Sequence, residues 1–218
     1  ALQQLRLHQP KTSELVTGIK RDIDLFSKIN AQENDQITAL DISFDKNRSG
    51  VQLALDAGAR VFYADHHFAG DLIESDRLDV HIDTDANTCT SLIINKYLEN
   101  RYFAWALVGA YGDNLYASAE LLADQFNVSS ENRAAYKELG TCLNYNGYGF
   151  TLDDLVYHPA ELFKLISSYQ NPLNFMQSQE YQKLKAAYLQ DLDFTHKLEP
   201  FESRENGAIF ILPNEDWS

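Results

Sequence analysis

Short apolar runs alternate with helix-spaced apolar positions along the first third of the chain. Residues 14–18 read as a strand. Residues 20–30 read as a helix with Ile23, Leu25, Phe26 and Ile29 on one face. Residues 36–42 form a second run. Residues 50–58 form a short helix carrying Val51, Leu53 and Leu55, and two further strands fall at 60–64 and 78–82. Strands alternating with helices predict βαβ units in a mostly parallel sheet with flanking helices, an α/β fold. From residue 88 the pattern turns helical, with helices expected at 88–98, 102–112, 117–126, 130–143, 159–169 and 177–192. Pro159 suits a first helical turn, where a missing N–H is harmless. Thr151-Leu152-Asp153-Asp154 has the spacing of a capping box, and residues 144–149 form a Gly/Asn-rich loop. Residues 197–202 and 208–212 read as a hairpin turning on Asn206-Gly207, because Asn-Gly readily supplies two positive φ angles.

The first residues, Ala1-Leu2-Gln3-Gln4-Leu5-Arg6-Leu7, read as helix interior with no N-cap ahead of them, and His8-Gln9-Pro10 ends that helix. These features predict a chain truncated at both ends. Residues 196–218 would be the start of a second domain, set off from residues 1–195. The apolar share of 44% and charged share of 23% are those of an ordinary globular protein. No run is long enough to span a bilayer, the longest being 103–110, and no signal-peptide pattern is visible. Cys89 and Cys142 make no CxxC pair. They read as buried free thiols of a cytoplasmic protein. Net charge is −14, which argues against a grip on duplex DNA, where affinity comes from neutralising phosphates. A small anionic substrate held through metal ions remains compatible with it.

Chemistry concentrates where a parallel sheet gathers its functional groups, at the C-terminal ends of strands. Asp41 follows one predicted strand, Asp65-His66-His67 ends the next, and Asp113 follows Gly112 at a helix end. Carboxylates with imidazole suit a divalent ion such as Mn²⁺, Co²⁺ or Zn²⁺. Two such ions can clamp the attacking and leaving oxygens of a phosphate ester. A histidine that is not a ligand can hydrogen-bond a phosphoryl oxygen or protonate a leaving group. Thr88-Cys89-Thr90-Ser91 opens a helix just after His81-Ile82-Asp83-Thr84-Asp85, so its hydroxyls read either as an anion pocket or as plain caps. Asp45-Lys46-Asn47-Arg48 reads as a polar loop or as a source of substrate contacts. Tyr102, Phe103, Trp105 and Tyr111 recur at helical spacing and read as core.

Asp65-His66-His67 resembles the signature of the DHH phosphoesterases, a family that includes pyrophosphatases, exopolyphosphatases, single-strand exonucleases and oligoribonucleases. Leu40-Asp41-Ile42-Ser43 resembles that family's second motif, and Ala110-Tyr111-Gly112-Asp113-Asn114 its fourth. The resemblance spans residues 1–195. It implies metal ligation by Asp41, His66 and Asp113, and a substrate-facing catalytic His67. Asp65 would be either a ligand or a carboxylate that orients one. Asn47, Arg48, His81 and Thr90 are the candidate substrate contacts. The implied cofactor is a pair of divalent ions, Mn²⁺ first, with Co²⁺, Mg²⁺ or Zn²⁺ as alternatives. The family's first motif, an Asp-x-Asp that supplies further ligands, has no counterpart before Asp41, so the fragment is expected to bind metal poorly and to turn over little. The expected activity of the intact protein is hydrolysis of a small phosphoester or phosphoanhydride, a short oligonucleotide or dinucleotide above pyrophosphate. The alternative is a non-catalytic nucleotide-binding or regulatory protein on a degenerate DHH fold.

Overall fold

The computed structural model describes residues 1–211. Three strands, β1 (Gln36–Leu40), β2 (Arg60–Asp65) and β3 (Leu78–Ile82), pair in parallel in that order. Helices cover both faces, as buried parallel sheets require. On one face α2 (Phe44–Asp56) lays Phe44, Val51, Ala54 and Leu55 against Val61 and Tyr63 of β2. On the other, Phe62 and Ala64 meet Ile94 and Leu98 at α3 (Thr90–Tyr97), with Leu5 of α1 (Leu2–His8) beside them. Side chains alternate across a strand, so neighbours on β2 serve opposite faces.

The remaining helices build a larger core. They are α4 (Phe103–Gly112), α5 (Tyr116–Gln125), α6 (Ser130–Tyr145), α7 (Pro159–Ser167), the single-turn α8 (Pro172–Phe175) and α9 (Gln179–His196). Helix α4 is buried along most of its length, with Trp105, Leu107 and Tyr111 inside the core. Its aromatic residues are packing groups, as their spacing predicts; Phe103 stacks on Phe126 at 4.1 Å between ring centroids. Helix α6 crosses α4 at glycines. A Cβ on Gly140 would lie 2.4 Å from the Val108 carbonyl oxygen and 2.7 Å from the Gly112 nitrogen. Backbone meets backbone here, and only glycine permits it.

Three expectations fail, each for a local reason. Residues 14–18 are extended but unpaired with any described strand, and a strand exists only through a partner for its backbone groups. Residues 20–30 hold a single 3₁₀ turn, Phe26–Lys28, instead of a helix. The side chain of Asn47 accounts for this. Its amide donates to the Ile23 carbonyl at 2.8 Å and to the Ser43 carbonyl at 2.9 Å, and its carbonyl accepts from the Phe26 N–H at 3.1 Å. Those bonds tie the segment's backbone to α2 rather than to itself. Phe26 is thereby buried while Ile23 is 54% exposed. Finally, α2 begins at Phe44, so Asp45-Lys46-Asn47-Arg48 is its first turn and not a loop. Asp45 there suits the positive end of the helix dipole.

The hairpin pairs β4 (Glu202–Arg204) with β5 (Gly207–Ile209) as a separate two-stranded sheet. Its closing pair is Arg204 with Gly207, so Glu205-Asn206 makes the turn and the expected Asn-Gly pair does not. The expected strand end at Leu212 lies outside the described residues. Pro159 opens α7 as predicted, and Asp154 accepts from the Thr151 N–H at 2.6 Å in the expected capping box. Cys89 and Cys142 are free and buried. Burial pushes each thiol up to about 11, so neither is poised as a nucleophile. Among the described residues no helix is long and apolar enough to cross a membrane.

Candidate metal centre

The chain leaves β1 through Asp41, whose φ of 62° lies in the left-handed region. Asp tolerates that region better than most residues, and the Asp41 N–H stays tied to the sheet through the Ala64 carbonyl at 3.1 Å. Its carboxylate accepts from the Thr90 hydroxyl at 2.7 Å, the first residue of α3. Thr90 is buried, so this bond locks the carboxylate from behind. The chain leaves β2 through Asp65, and His66 follows on the α3 side. His66 Nδ1 lies 3.1 Å from the Thr88 carbonyl oxygen. A carbonyl can only accept, so Nδ1 carries a proton, and Nε2 is the nitrogen turned towards the carboxylates. That Nε2 lies 3.5 Å from Asp41 Oδ1 and 3.7 Å from Asp113 Oδ2.

These separations are longer than good hydrogen bonds. Donor atoms that share an ion at about 2.0–2.2 Å stand roughly 3.0–3.5 Å apart. The Asp41 separation falls at the upper end of that range and the Asp113 separation 0.2 Å beyond it, so a shared cation would draw Asp113 slightly inward. One donor atom each from Asp41, His66 and His67 lies within 4.8 Å of the others, a grouping that takes in His67 and not Asp113.

Electrostatics points the same way. Asp113 caps the C-terminal end of α4, where the helix dipole already concentrates negative potential. A cavity of about 230 Å³ opens between Asp41, Thr90, Ser91, Asp113, Gly140 and Asn144. None of the described residues lining it is Lys or Arg. Two carboxylates thus line a shared space, and the cation beside them is the Ala1 ammonium, which donates to Ser91 Oγ at 3.0 Å; burial lowers its hold on the proton against the pull of Asp41. Carboxylates with an imidazole are donors of the kind a divalent ion takes.

Asp65 turns to the other face of the sheet. It is fully buried, its Oδ1 accepts from His67 Nδ1–H at 2.7 Å, and its Oδ2 has no partner among the described residues. The structure brings Asp65 to His67, and His66 is oriented by the Thr88 carbonyl instead. With Nδ1 committed to Asp65, the nitrogen His67 has left to offer is Nε2.

Three predicted substrate contacts lie elsewhere. Asn47 is buried and its amide is committed to the Phe26 segment, as above. Arg48 Nε donates to the Asp71 carbonyl at 2.9 Å on the surface. His81 pairs in register with Ala64 and so faces α3, where its ring sits 4.9 Å from Phe62 and 4.7 Å from Tyr97. It shares the α3 face with the cavity but packs at the far end of that helix, against its last residue Tyr97, while the cavity lies at the helix start with Thr90 and Ser91. Thr90 does line the cavity, as a brace for Asp41. Residues that sequence reasoning passed over are Gly109, Gly140 and Asn144. A Cβ on Gly109 would meet Ser91 Oγ at 2.2 Å, so the glycines let α3, α4 and α6 close around the site. Gly109 and Gly112, three residues apart on the apolar α4, were the available signal.

No family model, curated protein or solved structure matches this chain.

Proposed function

We propose that this protein is a divalent-metal-dependent phosphoesterase of the DHH type, and that its intact form hydrolyses a small phosphoester or phosphoanhydride. The observation that carries the reading is the state of His66. Its Nδ1–H is consumed by the Thr88 carbonyl, so Nε2 is the nitrogen presented to the two carboxylates and to a metal ion between them. That arrangement is the usual backing of a metal-bound imidazole. Asp41, His66 and Asp113 would hold the ion, with Mn²⁺ first among Mn²⁺, Co²⁺, Mg²⁺ and Zn²⁺. When bound, a divalent ion lowers the pKa of water and offsets phosphate charge.

The chain's own part is positional. Thr90 fixes one Asp41 oxygen. His67, held at Nδ1 by the buried Asp65, would in its doubly protonated form donate from Nε2 to a phosphoryl oxygen or pass that proton to the departing ester oxygen. Water supplies the new P–O bond, and the leaving oxygen takes up a proton. The acidic net charge favours a dinucleotide or short oligonucleotide over duplex DNA.

The deciding assay is Mn²⁺-dependent hydrolysis by the full-length protein of pyrophosphate, a dinucleotide and short RNA. Turnover of at least one, abolished by chelation and restored by Mn²⁺, is expected. Nucleotide binding without turnover would favour a non-catalytic nucleotide-binding protein instead. A finer probe is Thr90→Val, which keeps shape and removes the donor to Asp41. Mn²⁺ affinity by calorimetry should fall about 10- to 100-fold with little change in Tm; unchanged affinity would remove Thr90 from the site.

A further inference from the structure

Asp41 reaches the site from a turn that needs holding. Its φ of 62° is left-handed, and a residue other than glycine persists there where its surroundings fix it. One hold is the Asp41 N–H on the Ala64 carbonyl. A second comes from the α2 face of the sheet, opposite α3. Tyr63 is fully buried there beside Phe26 and Phe44, at 6.1 Å and 5.0 Å between ring centroids. A phenol buried that deeply calls for an acceptor for its O–H. It donates to the Ile42 carbonyl at 2.8 Å, one residue past Asp41. Ser43 follows. It is the N-cap of α2, where serine usually accepts a backbone N–H, yet its side chain makes no such bond. Its hydroxyl donates instead to the Phe68 carbonyl at 3.1 Å, just past His67. A local capping preference has given way to a tie between the turn that carries Asp41 and the turn that carries His66 and His67.

We propose that Tyr63 is a positioning residue of the metal centre: its hydroxyl fixes the Ile42 carbonyl from the opposite face of the sheet, and with it the direction in which Asp41 presents its carboxylate. Ser43 makes the weaker, exposed half of the same clamp. Neither side chain is among those lining the cavity, so both act through the turn. Thr90 steers the carboxylate, and Tyr63 steers the backbone that carries it. An ion that meets a turn already fixed need not order it on binding, which raises affinity without a new contact. The inference rests on the metal centre of the phosphoesterase reading and not on the reaction itself.

The test titrates Mn²⁺ by calorimetry into the full-length wild type, Tyr63→Phe, Ser43→Ala and Val51→Ala, with phosphate release measured alongside. Tyr63→Phe keeps the ring and removes the donor. Its Kd for Mn²⁺ should rise about tenfold, the lower end of what losing an orienting partner costs. At saturating Mn²⁺ its kcat should return to near the wild-type value. Ser43→Ala should raise Kd about two- to fivefold, the scale of one exposed hydrogen bond. Val51 is buried in the same core as Tyr63, and Val51→Ala takes methyl groups from it but no hydrogen bond. That variant should lower Tm at least as much as Tyr63→Phe and leave Kd unchanged. A purely structural role for Tyr63 gives a different result: fewer titratable sites at the wild-type Kd. That result, or an equal rise of Kd in Val51→Ala, overturns the positioning role while turnover by the wild type leaves the phosphoesterase standing. Should Tyr63→Phe fail to fold, Ser43→Ala decides, and an unchanged Kd there overturns the clamp. A raised Kd in Tyr63→Phe with no turnover even by the wild type upholds the positioning role and sinks the phosphoesterase. Absence of Mn²⁺ binding by the wild type overturns both.

Discussion

His66→Ala is expected to abolish Mn²⁺-dependent turnover and to weaken Mn²⁺ binding by more than about 100-fold. The bound comes from chemistry one remove away: losing a group that merely orients a ligand already costs 10- to 100-fold in affinity or activity. His66 is the atom bridge of the site, since Asp41 and Asp113 are both related to it through Nε2. Its removal leaves two carboxylates without the nitrogen donor between them. The ring is partly exposed and its one other described hydrogen bond is to the Thr88 carbonyl, so stability should change little. Circular dichroism and Tm would establish that the variant is folded, while calorimetry and phosphate release measure the loss. Full activity in a folded His66→Ala protein would dismiss the metal assignment.

Gly140→Ala should lower stability by about 2–3 kcal/mol, although Ala is the better helix former by roughly 1 kcal/mol. The new methyl would sit 2.4 Å from the Val108 oxygen and 2.7 Å from the Gly112 nitrogen, both backbone atoms that cannot step aside. Helices α4 and α6 must part, and the cavity wall between them must move. For a chain of this size Tm should fall by about 5–10 °C. Gly147→Ala is the internal comparison. Its nearest contact would be the Asn144 oxygen at 3.3 Å, so its Tm should shift far less. A Gly140→Ala protein as stable as the parent would mean that the helices do not cross this closely. Because α4 carries Asp113 at its end, the same substitution should also weaken Mn²⁺ binding.

The parallel sheet and the meeting of Asp41, His66 and Asp113 were legible because strand ends in such sheets converge, and the three residues stand at element ends. What the sequence hid were directions. His81 stands near a strand end too, but its ring packs on Phe62 and on Tyr97 at the far end of α3, away from the helix start that borders the cavity. Asn47 looked available because Asn is polar; a buried amide that satisfies three backbone groups at once cannot be read from spacing. The same amide explains why a good helical pattern at 20–30 gave one turn: tertiary hydrogen bonds overrode a weak local preference. The 144–150 loop was legible as a loop. Its tie to Lys20, whose Nζ donates to Asn144 Oδ1, depends on a contact 124 residues away in sequence.

The backbone at Asp41 narrows the evolutionary routes open to this site. With φ at 62°, most side chains would be strained there, and Asp, Asn and Gly are the residues that accept the conformation readily. A lineage that abandons the metal while keeping the fold would most easily substitute Asn or Gly at this position. Loss of the function would thus leave a recognisable mark at position 41, one distinct from the scatter of substitutions that an ordinary surface aspartate accumulates.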